Sequence, residues 1–232
     1  MFIGVGNPIP RLANLPGASR PGGGGGGGGG GLAQVDNLYS FEFDGVESSF
    51  QTGSITLGNT FTFSLWINAN AFATYPVALA SPNYYTAGFN GNFIFRITSS
   101  QVLLASYNSN SAGSGEFVSA SASFSTSQWY HIVLTNDGST AVFYLDGSPL
   151  TTTGVNTKSL DDLTNGLMIG DGDFRVGTSN TAWNGKIDEV AVWNAALTAT
   201  DIQNIYNATT TGKTADLNAL STPPIAWYRM GD

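Results

Sequence analysis

The sequence predicts an all-β fold: two antiparallel sheets packed as a sandwich, one short helix near the C-terminus and an extended arm at the N-terminus. Three observations carry this reading. Apolar and polar residues alternate with the period of strands, turn residues separate the alternating runs at short intervals, and an unbroken glycine run near the start has no side chain to pack.

The arm comes first. Pro8, Pro10, Pro16 and Pro21 punctuate the opening segment and Gly22 to Gly31 follow without interruption, so residues 1–35 form neither helix nor ordinary core strand. The glycine run reaches about 17 Å as a flexible coil and about 31 Å when extended. Phe2, Ile3, Val5, Ile9 and Leu12 are its apolar anchors, and Arg11 and Arg20 are the only charged side chains before Asp36. Such a segment is expected to dock against neighbouring subunits of a homo-oligomer, as an added strand or as packed extended chain.

Residues 36–232 form the body. Phe61, Phe63, Leu65 and Ile67 point one way, and Thr62, Ser64, Trp66 and Asn68 the other, which is the period of a strand. The first set is expected in the core and Ser64 outside it. A strand from Trp129 to about Thr135, the turn Asn136-Asp137-Gly138 and a return over Ala141 to Leu145 make a hairpin. Further strands are expected over Phe93 to Ile97, Val102 to Tyr107, Leu167 to Ile169 and Lys186 to Trp193. Thr198 with Asp201 three residues later is a capping box, and Ile202, Ile205 and Tyr206 share one face of the helix it opens.

Net charge is −8, with a basic arm on an acidic body, so phosphate binding and hence nucleic acid are disfavoured. There is no cysteine, so packing alone holds the fold. The opening segment lacks the basic region and apolar run of a secretory signal, and no stretch is apolar and long enough to insert in a membrane.

The body resembles a known family. Phe41-Glu-Phe-Asp-Gly45, the strand Phe61 to Trp66, the hairpin Trp129 to Gly147, and Gly185 to Trp193 followed by Leu197 and the Ile202 to Tyr206 helix are similar to laminin G-like, concanavalin A-like jelly-roll domains, covering about Leu38 to Asn207. The arm, the glycine run and the closing Ile225 to Asp232 are similar to structural proteins of marine bacteriophages.

The first resemblance implies a jelly-roll sandwich and, in many members, a structural Ca²⁺. Asp44 and Asp188 are the ligands it points to, with Asp171 and Asp173 as a separate loop cluster. Some members hydrolyse polysaccharides with two carboxylates about 5 to 5.5 Å apart in retaining enzymes. Asp188 and Glu189 are adjacent on a strand and point to opposite faces, so they do not form such a pair, and no catalytic residue is assigned. His131, the one histidine, lies mid-strand, the ordinary place for a buried, satisfied imidazole.

Tyr84, Tyr85 and Asn90, with Trp183 and Asn184, are the aromatic and amide side chains available in loops for a glycan or a subunit contact. Trp66, Trp129 and Trp193 read instead as core or sheet-face residues. The leading expectation is a non-enzymatic structural or adhesion component of a virion, made in the host cytoplasm and docked through its arm to copies of itself and other virion proteins. The alternative is a glycan-binding module of a secreted or surface protein, hence extracellular.

Overall fold

A computed structural model describes residues 11–14, 31–46, 48–72, 76–82, 93–107, 116–154, 160, 163, 165–171 and 181–230. Among these the strands run, in chain order, β1 (Arg11–Asn14), β2 (Gln34–Asp36), β3 (Tyr39–Asp44), β4 (Phe50–Gln51), β5 (Thr60–Ala69), β6 (Val77–Ala80), β7 (Phe93–Ile97), β8 (Val102–Tyr107) and β9 (Glu116–Ser121). They continue as β10 (Trp129–Asp137), β11 (Ala141–Leu145), β12 (Ser148–Pro149), β13 (Thr152–Gly154), β14 (Met168–Ile169), β15 (Asn184–Trp193), β16 (Lys213–Ala215) and β17 (Ala226–Tyr228).

Two antiparallel sheets face each other. The first has the order β1-β3-β15-β5-β10-β11-β12, with β17 also on β15, and the second the order β13-β9-β8-β7-β6-β14-β4. The crossovers between sheets are those of a jelly-roll sandwich. Phe43, Phe63, Leu65, Ile67, Phe93, Phe95 and Phe143 are buried between them, and the rings of Phe63 and Phe93 stack at 4.7 Å, joining one sheet to the other.

The expected alternation of β5 holds, since Phe61, Phe63, Leu65 and Ile67 all lie in this core. The opposite face of β5 is not solvent. A third layer made of α1 (Ala199–Ala208), the β2–β16 pair and a short turn of helix at Leu217–Ala219 lies over the first sheet. Val133, Ala191, Trp193, Ile202, Ile205 and Leu217 form a second core there. Ser64, expected outside the core, is therefore only 2% exposed.

The helix starts where its cap requires. The Thr198 hydroxyl accepts the Asp201 amide at 3.1 Å, and the Asp201 carboxylate accepts the Thr198 amide at 3.2 Å. Ile202 and Ile205 are buried against the sheet, as their shared face dictates.

Of the arm, Phe2, Ile3, Val5, Ile9 and Arg20 lie outside the described residues. Arg11 and Leu12 belong to β1, which pairs with Glu42 and Phe41 of the same chain. The arm gives way to the body at Gln34, where β2 begins to pair with Ala215.

Candidate functional site

The third layer covers the first sheet, and Val77, Ala80 and Ile94 are buried on the outer face of the second, so among the described residues the surfaces open to a ligand are the β8–β9 side of that outer face and the rims of the sandwich. One rim is built by the antiparallel pairing of β3 with β15, which sets Asn184 opposite Asp44. Asp44 is exposed and its carboxylate closes a turn, accepting the amide of Val46 at 2.9 Å and that of Ser48 at 3.4 Å.

Gly45 makes that turn possible. Its φ is +78°, and a Cβ there would sit 2.9 Å from Cβ of Asn184. Asn70, exposed at the end of β5, donates its amide to the Asn184 carbonyl at 2.9 Å. Asp44, Asn70 and Asn184 thus share one rim with Val46, which is 55% exposed. Asp171, two residues beyond β14 and buried, accepts the Thr181 hydroxyl at 2.9 Å, and Thr181 in turn holds the start of β6 through its carbonyl.

The predicted residues fall out differently. Asp44 and Asn184, assigned to different roles, are brought together. Trp183, expected as an exposed platform, is 1% exposed and packs in the core between the sheets. Its amide bonds the Gly170 carbonyl at 2.7 Å, which fixes the chain so that the ring points inward and Asn184 outward. Tyr84, Tyr85, Asn90 and Asp173 lie outside the described residues.

Asp44 and Asp188 are not brought together. Asp188 lies four positions along β15 from Asn184, roughly 13 Å at strand spacing. Calcium ligands lie about 2.3 to 2.6 Å from their ion. Asp188 is buried opposite Trp66, and its carboxylate accepts the Glu189 amide at 2.7 Å. No group of three or more His, Cys, Asp or Glu able to hold a metal occurs among the described residues. The residues therefore do not fit a Ca²⁺ shared by this pair.

Two buried polar clusters escaped the sequence reading. In one, His131 Nε2 lies 2.8 Å from the Ser64 hydroxyl and the imidazole stacks on Trp66 at 5.0 Å and on Tyr206 at 6.3 Å. Asp146 completes the residue types of a hydrolytic triad but not its geometry. Its carboxylate accepts the backbone amide of His131 at 2.8 Å, and Ser64 is closed off under the third layer. Burial pushes the Asp146 carboxyl above the usual carboxylate range, an effect that the His131 amide partly offsets. Tyr206 is raised by burial and then by the Asp146 charge.

In the other, the Glu189 carboxylate accepts the Asn37 side-chain amide at 2.5 Å and the Trp227 indole at 2.6 Å, with Arg229 Nε at 3.6 Å. Adjacent Asp188 and Glu189 are both buried, so neither is presented to a substrate.

The profile of the concanavalin A-like lectin/glucanases superfamily matches residues 44–203, more than half of the chain. No curated protein sequence matches. Among solved structures, the chain is similar to a native heptameric SAP-like pentraxin from Limulus polyphemus, at 16% identity and TM-score 0.55 over 82% of this chain and 91% of that one. It is similar to domain 4 of AbnA, a GH43 extracellular arabinanase from Geobacillus stearothermophilus, in complex with arabinotriose, at 16% identity and TM-score 0.56 over 76% and 81%. A third is the CBM40 of the Ruminococcus gnavus IT-sialidase bound to alpha2,3 sialyllactose, at 13% identity and TM-score 0.54 over 76% and 99%. At these identities the likeness is one of fold, and nothing in it supports the resemblance to phage proteins. With its two-sheet jelly roll and the matched span, the chain belongs to the concanavalin A-like lectin/glucanases superfamily.

Proposed function

We propose that this chain is a non-catalytic glycan-binding module that works at an extracellular surface, with the Asp44–Asn184 rim as its contact. The observation that carries the reading is the rim itself: an exposed carboxylate, two asparagines and an exposed valine held on strand ends that cannot shift independently. Sugar hydroxyls donate to a carboxylate and exchange hydrogen bonds with amides, while an apolar side chain meets the C–H face of the ring. The arabinotriose and sialyllactose complexes of two proteins with this fold support the class of ligand.

The buried, engaged state of Asp188 and Glu189 supports binding without hydrolysis. A virion role gains no support from these relatives. Self-association through the arm stays a proposal, and one relative with this fold is heptameric.

The test is a glycan array probed with the full chain and with Asp44→Ala and Asn184→Ala. Selective binding by the parent chain that both substitutions weaken supports the proposal. Absence of binding to every glycan, or binding indifferent to both substitutions, overturns it.

A further inference from the structure

One edge of β15 is filled by two strands from opposite ends of the chain. β3 pairs with Asn184 to Ile187, and β17 pairs with Val190 to Val192. Between them β15 bulges: its register against β5 shifts between Asp188 and Ala191, and Glu189 sits at φ +52°. The bulge re-aims one side chain into the gap where the two strands meet end to end.

That side chain takes hold of both. From the N-terminal side it accepts Asn37, two residues before β3, and from the C-terminal side Trp227 and the charge of Arg229. Arg229 also lies over the Trp227 ring, 5.3 Å from its centre, and donates to the Asp36 carbonyl. Lys213 bonds the Asp36 carboxylate at 2.9 Å, and the Asn37 amide bonds the Gly212 carbonyl at 2.8 Å. The root of the arm is thus tied to the third layer, to the closing strand and to β15 within a few residues.

We infer that Glu189 is a clamp that makes the two chain ends one unit with β15, so that a pull on the arm is carried into the middle of the first sheet instead of peeling β3 from its edge. A positive φ for a side-chain-bearing residue costs free energy, and a carboxylate buried beside Asp188 costs more unless its partners are all in place. The Asn37 and Trp227 donors and the Arg229 charge offset that cost only while both ends are seated, which couples them. The use of the clamp, to hold a tethered glycan-binding module, rests on the function proposed above. Its existence does not.

Hydrogen–deuterium exchange on the full chain, on Asn37→Ala and on Glu189→Gln tests it without any glycan. Glu189→Gln keeps the shape but turns a donor toward donors. Both substitutions are expected to speed exchange about tenfold or more at residues 34–37 and at 226–228, while β5 and β10 keep their protection. For Asn37→Ala the effect at 226–228 travels through Glu189 or through the Arg229 bond to the Asp36 carbonyl, and Glu189→Gln, which leaves that bond in place, tells the two apart. Faster exchange confined to 34–37 in Asn37→Ala, or equal acceleration in every strand, overturns the coupling.

Discussion

The imidazole of His131 and the hydroxyl of Ser64 meet at 2.8 Å on the covered face of the first sheet. On the other face of the same strand Leu65 is fully buried between the sheets. Leu65→Ala is expected to cost about 2–5 kcal/mol through lost contacts and the cavity left behind. Ser64→Ala removes the ring's partner in a place water does not reach and is expected to cost about 1–3 kcal/mol. Chemical denaturation of both variants checks the pair. A neutral Ser64→Ala would contradict the covering layer.

Asp146 gives a pH dependence. Its folded-state pKa is raised by burial above the ordinary 3.8, so the folded protein holds this proton more tightly than the unfolded chain. Any stability the group contributes is present in acid and is lost as pH rises from 3.8 through the raised value. Asp146→Asn keeps an oxygen to accept the His131 amide and suits the φ of +50° found there. Thermal melts at neutral pH are expected to place this variant at or above the parent, with the difference shrinking toward pH 4. A variant less stable at neutral pH by a constant amount would contradict the burial effect.

Gly185 sets the rim. Its φ is +139°, and a Cβ would fall 2.2 Å from the Asn68 carbonyl oxygen, which belongs to a central strand and cannot give way. Gly185→Ala is expected to cost about 2–4 kcal/mol and to weaken any ligand held by Asp44 and Asn184. Melting of the variant checks the first part, and titration with an array hit the second.

Asp188 is read as a structural acceptor for the bulge and not as a calcium ligand. Asp188→Ala is expected to lower the melting temperature equally in EDTA and in calcium, because a folded-state ligand would make the loss depend on the ion. A loss seen only with calcium would restore the ion at Asp188.

What could be read from the chain depended on the range of each signal. The faces of β5 and the cap of α1 lie in residues two to four apart, and period and spacing carried them. The burial of Ser64 depends on a layer built from residues 199–220 and β2, and no local pattern near residue 64 encodes it. Trp183 stands among turn residues, the setting of an exposed platform, yet alternation into β15 sends its ring inward. Glu189 gathers partners 152 residues before it and 38 after it, a meeting made by topology and not by motif. An amide beside a turn marks Asn184 as a ligand candidate, but its pairing with Asp44 rests on the register of two strands distant in sequence.

Backbone NMR of the full chain, isotope-labelled and titrated with an array hit, addresses the central claim most directly. The account predicts saturable shifts at Asp44 to Val46, at Asn70 and at Asn184, with little change in β10 or α1. Shifts confined to the outer face of the second sheet, around Arg96, Leu104 and Ser119, or the absence of any saturable shift, would contradict it.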